Sequence, residues 1–319
     1  MTRTGTGVLF RVLIPTALLA GLLLPISLRA TSATPAPSPG APPAALPSLA
    51  LTFDDGTPDA ATNGAILAAL REAGVHSVLF AAGKRIDSPE GLAQVRAWGE
   101  AGHLVGNHTY SHANLGGAGT SLEEFEADAL RNEALLKALP GFTRLFRFPY
   151  LKEGDTAAKR DGFRAFLRAE KYRIGAVTID ASDWYYDQRF RAWRESHPGA
   201  DVAPFREAYL AHLWARAQYY DALSRAVLGR SVAHTLLLHT NRINAAFLPD
   251  VIRMFRDRGW TLVDASAAFE DPVFAREPDI LPAGESLLWA LAKEKGVSDL
   301  RYPGEDEIYE KPVLDAAGL

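Results

Sequence analysis

From residue 46 onward the chain alternates short, almost purely apolar runs with longer stretches in which apolar residues recur every three or four positions. Residues 46–53 form the first apolar run. Residues 58–73 follow with Ala61, Ile66, Leu67 and Leu70 on helical spacing, stopped by Gly74. A buried strand is expected over 75–82, a helix over 89–101 ending at Gly102, and a short strand over 103–105. The pattern continues with a helix over 121–139, strands over 145–150 and 174–179, and a helix over 156–170 between them. After a long insertion come a strand over 235–239, a helix over 245–258 and a strand over 260–263. Repeated strand–helix units predict an α/β fold with a parallel sheet. The roughly 270 residues available suit a (β/α) barrel, whose usual size is ~250 residues.

The first 48 residues follow a different pattern. Arg3 and Arg11 precede an apolar stretch of about 17 residues over 12–28, interrupted by Pro15 and Pro25, with small residues at Ala30 and Ala33. Residues 1–33 are therefore expected to be a signal peptide, or an N-terminal anchor at the short limit of a membrane span. Residues 34–48, rich in Pro and Ala, are expected to be a tether. Either way the folded part is expected outside the cytoplasm, in the periplasm or beyond, with a membrane contact only through the N-terminal segment if that is uncleaved.

Composition narrows the chemistry. A formal net charge of -4 gives no electrostatic case for binding nucleic acid. The chain has 0 cysteines, which excludes disulfides, thiolate zinc sites and a cysteine nucleophile.

The unusual polar residues fall at the C-terminal ends of the expected strands: Asp54 and Asp55 after the first, His108 and His112 after the third, then Arg147 and Tyr150, then Asp180, Asp183 and Trp184, and finally His239. Barrel enzymes build their active sites on that face. Adjacent carboxylates at a strand end point to opposite sides, so one can hold a metal while the other faces a water; Asp55 could equally cap a helix opening near Pro58. Two imidazoles four residues apart share one side if they lie on a helical turn. With 8 histidines in 319 residues, chance alone gives roughly 0.2 such pairs, so the spacing matters only beside the aspartate pair. Two His and one carboxylate leave positions open for water and substrate. His239 suits a general acid tuned by a neighbouring carboxylate, for which Asp180 and Asp183 are both candidates, or a buried histidine satisfied by backbone. Arg147 can orient Asp54 through a bidentate contact, or form a structural ion pair in the barrel mouth.

The segments Thr52-Phe53-Asp54-Asp55-Gly56, His108-Thr109-Tyr110-Ser111-His112, Arg147-Phe148-Pro149-Tyr150, Asp180-Ala181-Ser182-Asp183-Trp184 and Leu237-Leu238-His239 resemble, in order, the five motifs of the polysaccharide deacetylases, carbohydrate esterase family 4. The resemblance covers about residues 49–264. It implies a distorted (β/α) barrel of seven or eight strands and a divalent metal, usually Zn2+. It also implies removal of acetyl groups from an N-acetylated cell-wall or extracellular polysaccharide or oligosaccharide. By the same resemblance Asp54 is the catalytic base, and Asp55, His108 and His112 are the metal ligands. Arg147 orients the base, Tyr150 offers a backbone N–H to the oxyanion, and His239 is the acid, steadied by Asp180 or Asp183. Trp184 is the groove-lining aromatic.

Two departures from the family pattern stand out: a helical insertion over 187–230 and a C-terminal extension over 271–319, flanking a catalytic domain over 49–270. The insertion has Leu210, Leu213, Ala217, Tyr220, Leu223 and Val227 at helical spacing and also carries Trp193, Tyr209, Trp214 and Tyr219, either as packing residues or as platforms that stack on sugar rings and close one end of the groove. Rival functions are an O-acetyl esterase acting on a glycan, a non-catalytic glycan-binding protein, and an iron oxygenase using the His/His/Asp set. The last would leave Asp54, Arg147 and His239 without a task.

Overall fold

The first strand, β1 (Ser48–Asp55), is the centre of the architecture. Leu49, Ala50, Leu51 and Phe53 are all buried, so both faces of the strand are covered and its sequence is an apolar run rather than an alternation. In a computed structural model that describes residues 46–302 and 306–319, β1 lies between two parallel neighbours. On one side are β2 (Val78–Ala81), β3 (Leu104–Asn107), β4 (Phe142–Phe146) and β6 (Arg173–Ile174); on the other is β7 (Ala233–His239). The sheet order is β6-β4-β3-β2-β1-β7, with β8 (Thr261–Leu262) paired to the start of β1, giving 7 strands. The expected export segment over 1–33 and nearly all of the tether over 34–48 lie outside the described residues. Among the described residues no helix is long and apolar enough to cross a membrane.

The helices pack where the apolar periodicity places them, and their starts are set by side-chain caps. α1 (Ala60–Ala73) begins at Asp59, whose carboxylate accepts from Ala61 and Thr62 N–H, and ends at Gly74 in a left-handed conformation. The short α2 (Gly83–Ile86) precedes α3 (Pro89–Glu100), capped by Ser88. α4 (Leu122–Leu136) opens on a reciprocal Ser121/Glu124 capping box. α5 (Ala157–Ala169) follows Thr156 after the short strand β5 (Lys152–Gly154). The insertion forms α6 (Asp183–Ser196) and the long α7 (Ala203–Leu228), starting four residues earlier than 187. α8 (Arg242–Asp257) is capped by Asn241, so it begins three residues before its apolar spacing becomes regular.

Three strand expectations shift. The fourth strand ends at Phe146 rather than 150, because Pro149 has no N–H for the ladder and Tyr150 and Leu151 adopt φ of 56° and 55°. The second narrows to Val78–Ala81. The stretch 174–179 is not one continuous strand. Its start pairs with β4, and Ile179 then bridges Leu236 of β7, with Ile179 N–H donating to Thr235 C=O at 2.9 Å. Gly175 makes the crossing possible: a Cβ there would sit 2.3 Å from the Phe80 ring. The barrel is thus closed by an irregular segment, which is the distortion.

Past residue 264 come α9 (Ala265–Ala268), β9 (Ala283–Gly284), α10 (Leu287–Glu294) and α11 (Lys311–Ala316). Leu287 to Ala292 are all buried, and β9 pairs antiparallel with β5, so this stretch packs on the barrel body. Gly284 has φ +120°, and a Cβ there would lie 2.0 Å from Leu151 C=O. Gly284→Ala is therefore expected to destabilise the fold by about 1–3 kcal/mol from backbone strain alone. Urea unfolding measures this; a midpoint equal to wild type would mean that the β5–β9 ladder is dispensable.

Candidate active site

The site sits at the C-terminal end of β1, where the chain makes two successive left-handed residues, Asp55 at φ 77° and Gly56 at 85°. A left-handed aspartate is tolerated because its short side chain is polar. The turn separates the two carboxylates. Asp54 stays in register with His239 of β7 and is 2% exposed, while Asp55 points toward the loop after β3.

Asp54 is held from below. Arg147, 1% exposed, donates from Nη1 to Asp54 Oδ1 at 2.9 Å and from Nη2 to Thr52 Oγ1 at 3.2 Å. Its Nε donates to Gly175 C=O, and the guanidinium lies 4.2 Å from the Phe80 ring centroid. Burial raises the Asp54 carboxyl to about 6, against the opposing pull of Arg147.

Asp55, His108 and His112 offer one ligand atom each, all within 4.8 Å of one another. Nε2 of His112 lies 3.4 Å from Asp55 Oδ1, and the two imidazole rings meet edge to face at 4.9 Å. They do not share a helical turn. Residues 108–112 form a loop with left-handed Thr109 and His112 (φ 59° each), pinned by Thr109 N–H on Asn107 Oδ1 and Ser111 N–H on Asp128. The rings do meet, but a tight turn rather than a helical turn brings them together.

Three observations fit this trio to a divalent cation. Asp55 Oδ1 is buried without a hydrogen-bond partner. His108 Nδ1 lies 2.8 Å from Arg147 C=O, which can only accept, so Nδ1 carries the proton and Nε2 keeps its lone pair. Burial lowers both imidazoles to about 4, leaving them neutral and ligating at ordinary pH. Arg85 reaches Asp55 from outside at 3.4 Å.

Across the cavity, His239 settles which aspartate partners it. Asp183 accepts from His239 N–H at 2.8 Å and lies 2.6 Å from Nδ1. Burial opposes charge on the ring, but Asp183 outweighs it and raises the imidazole to about 10. Asp180 does not partner His239. It lines the same cavity, accepts weakly from Ser182 N–H at 3.4 Å, and burial pushes its carboxyl up. Asp183 is itself clamped by Asn241 Nδ2 at 3.0 Å and Asn244 Nδ2 at 2.7 Å; Tyr209 donates to Asn244 at 2.7 Å.

A cavity of about 480 Å³ joins Asp54, Asp55, His108, His112, Asp180 and His239 to Tyr150, Trp184, Lys152, Glu285 and Tyr302. Tyr150 and Trp184 present exposed rings, 59% and 41%. Sequence reasoning missed five of these contributors or supports: Asn241, Asn244, Lys152, Glu285 and Tyr302. Asn241 and Asn244 carried a signal, an N-cap three residues before a second Asn. Lys152, hydrogen-bonded to Glu285 and Tyr302, carried none, because its partners arrive from the C-terminal stretch. The aromatics of the insertion are packing residues. Tyr209 is fully buried, Trp193 stacks on His197 and meets Phe205 edge to face, Trp214 meets Phe255 and Trp260 edge to face, Tyr219 meets Tyr220 edge to face, and none lines this cavity.

Comparison with known proteins finds polysaccharide deacetylases among the proteins similar to this chain. The polysaccharide deacetylase family model matches residues 42–166. A peptidoglycan-N-acetylglucosamine deacetylase of Bacillus cereus is 31% identical over 137 residues, which is 43% of this chain and 46% of that protein. A peptidoglycan-N-acetylmuramic acid deacetylase of Bacillus subtilis is 32% identical over 141 residues, 43% of this chain and 26% of that protein. The chain thus spans less than half the length of these curated relatives. A family 4 carbohydrate esterase pseudoenzyme from Bacillus anthracis shares the fold at a TM-score of 0.51 and 16% identity, covering 70% of this chain and 65% of that one. The fold therefore does not by itself guarantee turnover; the residues must.

The buried Asp54–Arg147 pair makes one outcome independent of any ligand. Arg147→Met should destabilise the protein by about 3–5 kcal/mol by stranding a buried carboxylate. Adding Asp54→Asn should recover a large part of that loss in a double-mutant cycle of urea unfolding. Strictly additive losses would mean that the pair is not coupled.

Proposed function

We propose that this chain, a member of the polysaccharide deacetylase family, is a metal-dependent hydrolase that removes acetyl groups from an N-acetylated cell-wall or extracellular glycan. The observation that carries this is the juxtaposition, in one cavity, of the Asp55/His108/His112 ligand cluster, a buried carboxylate at Asp54 and an acid-tuned imidazole at His239. The curated relatives named as peptidoglycan deacetylases support an N-acetyl sugar as substrate. The basic-then-apolar start of the chain supports export.

A divalent cation, most simply Zn2+, held by Asp55, His108 and His112 would polarise the acetyl carbonyl and lower the pKa of a water. Asp54 accepts the proton of the attacking water. Its position is fixed by Arg147, and its raised pKa, about 6, leaves it ionised yet basic near neutral pH. The Tyr150 N–H, placed by the left-handed turn after Pro149, donates to the developing oxyanion. His239 then gives its Nε2 proton to the departing nitrogen, since Nδ1 is committed to Asp183. An amine needs that proton to leave. Two titrating groups with pKa values pushed apart, about 6 and about 10, are thus assigned as base and acid.

Acetate release from a soluble N-acetylglucosamine oligomer, lost on chelation and restored by a divalent ion, is the direct test. Asp54→Asn should keep the metal and lose about 10²–10⁴-fold in turnover, while Asp55→Ala loses both. Metal analysis of the two purified variants decides it: an Asp54→Asn protein that is metal-free or fully active refutes the assignment.

The pH profile carries a second test. An acid works only while protonated, so activity falls as pH rises through the His239 pKa, placed near 10 by Asp183. Asp183→Asn removes the charge that raises it, and the alkaline limb of kcat/KM should move to lower pH while the acid limb, set by Asp54, stays. An unmoved alkaline limb would take His239 out of the acid's role.

A further inference from the structure

Beside the catalytic cavity, and sharing Asp55, Arg85, Trp184 and His239 with it, lies a second cavity of about 400 Å³. A third, of about 410 Å³, continues from it and shares Arg191 and Arg242. Together they make one groove leading outward from the ligand cluster over the start of α6 and the N-terminus of α8.

The wall of this arm is arginine-rich. Trp184, Asp187, Arg191 and Arg194 succeed one another by steps of three, four and three, so they form one stripe along α6. Arg242 is the first residue of α8, where the helix dipole adds to its charge. Arg191, Arg194 and Arg242 are exposed, and among the described residues none has a salt bridge or a side-chain hydrogen bond to a carboxylate. The carboxylates nearby are occupied. Asp59 caps α1, with bonds to Ala61 N–H and Thr62 Oγ1. Asp187 is turned onto Ile243 N–H at 2.9 Å, and burial pushes its carboxyl up. Among the described residues lining these two cavities, Glu195 alone offers an uncommitted negative charge, at the outer end. Unpaired guanidinium groups converge on a groove in a protein whose net charge is -4.

We infer that this arm selects substrates carrying a carboxylate on a sugar ring adjoining the acetylated one, with Arg191 and Arg242 as its receptors and Trp184 as the platform between the two rings. Guanidinium groups match a carboxylate bidentately, and an indole face suits a pyranose ring. The inference rests on the deacetylase reading and narrows it to anionic acetylated glycans. The carboxylate can belong to a uronic acid or to an ether-linked acid substituent; the arm recognises what they share.

The metal-loaded protein is tested with three oligosaccharides of equal length. One alternates N-acetylglucosamine with glucuronic acid, one is its carboxyl-reduced neutral counterpart, and one bears the acid as an O-alkyl ether. Calorimetric binding and acetate release are both measured. Wild type should bind at least one acidic ligand about tenfold more tightly than the neutral one, mainly through KM where turnover is seen, and the advantage should shrink with added salt. In Arg191→Gln/Arg242→Gln the acidic-to-neutral ratio should fall toward one. Which acidic ligand gains identifies the carboxylate's source. Equal binding of acidic and neutral ligands by wild type, or a preference that survives the double substitution, overturns the inference, whatever the turnover. Selective binding of the acid without acetate release from any ligand would uphold the arm and overturn the deacetylase reading instead.

Discussion

The interaction on which the site depends is the buried ion pair between Asp54 and Arg147. Taking both charges out of water is costly, and such pairs rarely add net stability. What this one adds is placement. Arg147 is fixed by three separate acceptors on two segments of the barrel, Thr52 and Asp54 on β1 and Gly175 just after β6. Its own carbonyl, meanwhile, receives the proton of His108 Nδ1. One residue therefore orients the proposed base with its side chain and fixes the tautomer of a proposed metal ligand with its backbone. Water would loosen both functions, so the pair and the apolar strands around it are inseparable.

The second organising network lies on the other wall. His239 leans on Asp183, Asp183 on Asn241 and Asn244, and Asn244 on Tyr209 of α7. The helical insertion thus does more than wall the groove. It braces the acid from behind, three hydrogen bonds removed, while the start of its first helix supplies the groove's aromatic face at Trp184.

Much of this was legible in the sequence because it is local. Apolar runs ending in Asp, His or Arg set out the strands and the catalytic face, and helical spacing with capping residues set out α1, α3, α4 and α5. What escaped was of two kinds. Some features depend on backbone conformation that side-chain type does not announce: the left-handed turn at Asp55, the loop that converges His108 and His112, and the broken strand after Ile174. Others depend on partners far apart in the chain. The choice between Asp180 and Asp183 turns on a helix start at Ser182, and the Lys152–Glu285–Tyr302 cluster joins residues more than 130 positions apart. Periodicity reads neighbours; it does not read meetings of this range.

The placement of β1 has a consequence for how the molecule comes into being. Its pairing partner β7 lies about 180 residues downstream, and one wall of the cavity is supplied by Glu285 and Tyr302, near the end of the chain. Contacts of such high order form slowly, because a long loop must close before any stabilisation is returned. A nascent chain released as far as β6 holds Asp54, Asp55, His108, His112 and Arg147, yet has neither β7 beside β1 nor His239. The site is therefore completed late: a chain cut short before β7 is an incomplete barrel, and one cut short before Glu285 has its barrel strands but lacks one wall of the cavity.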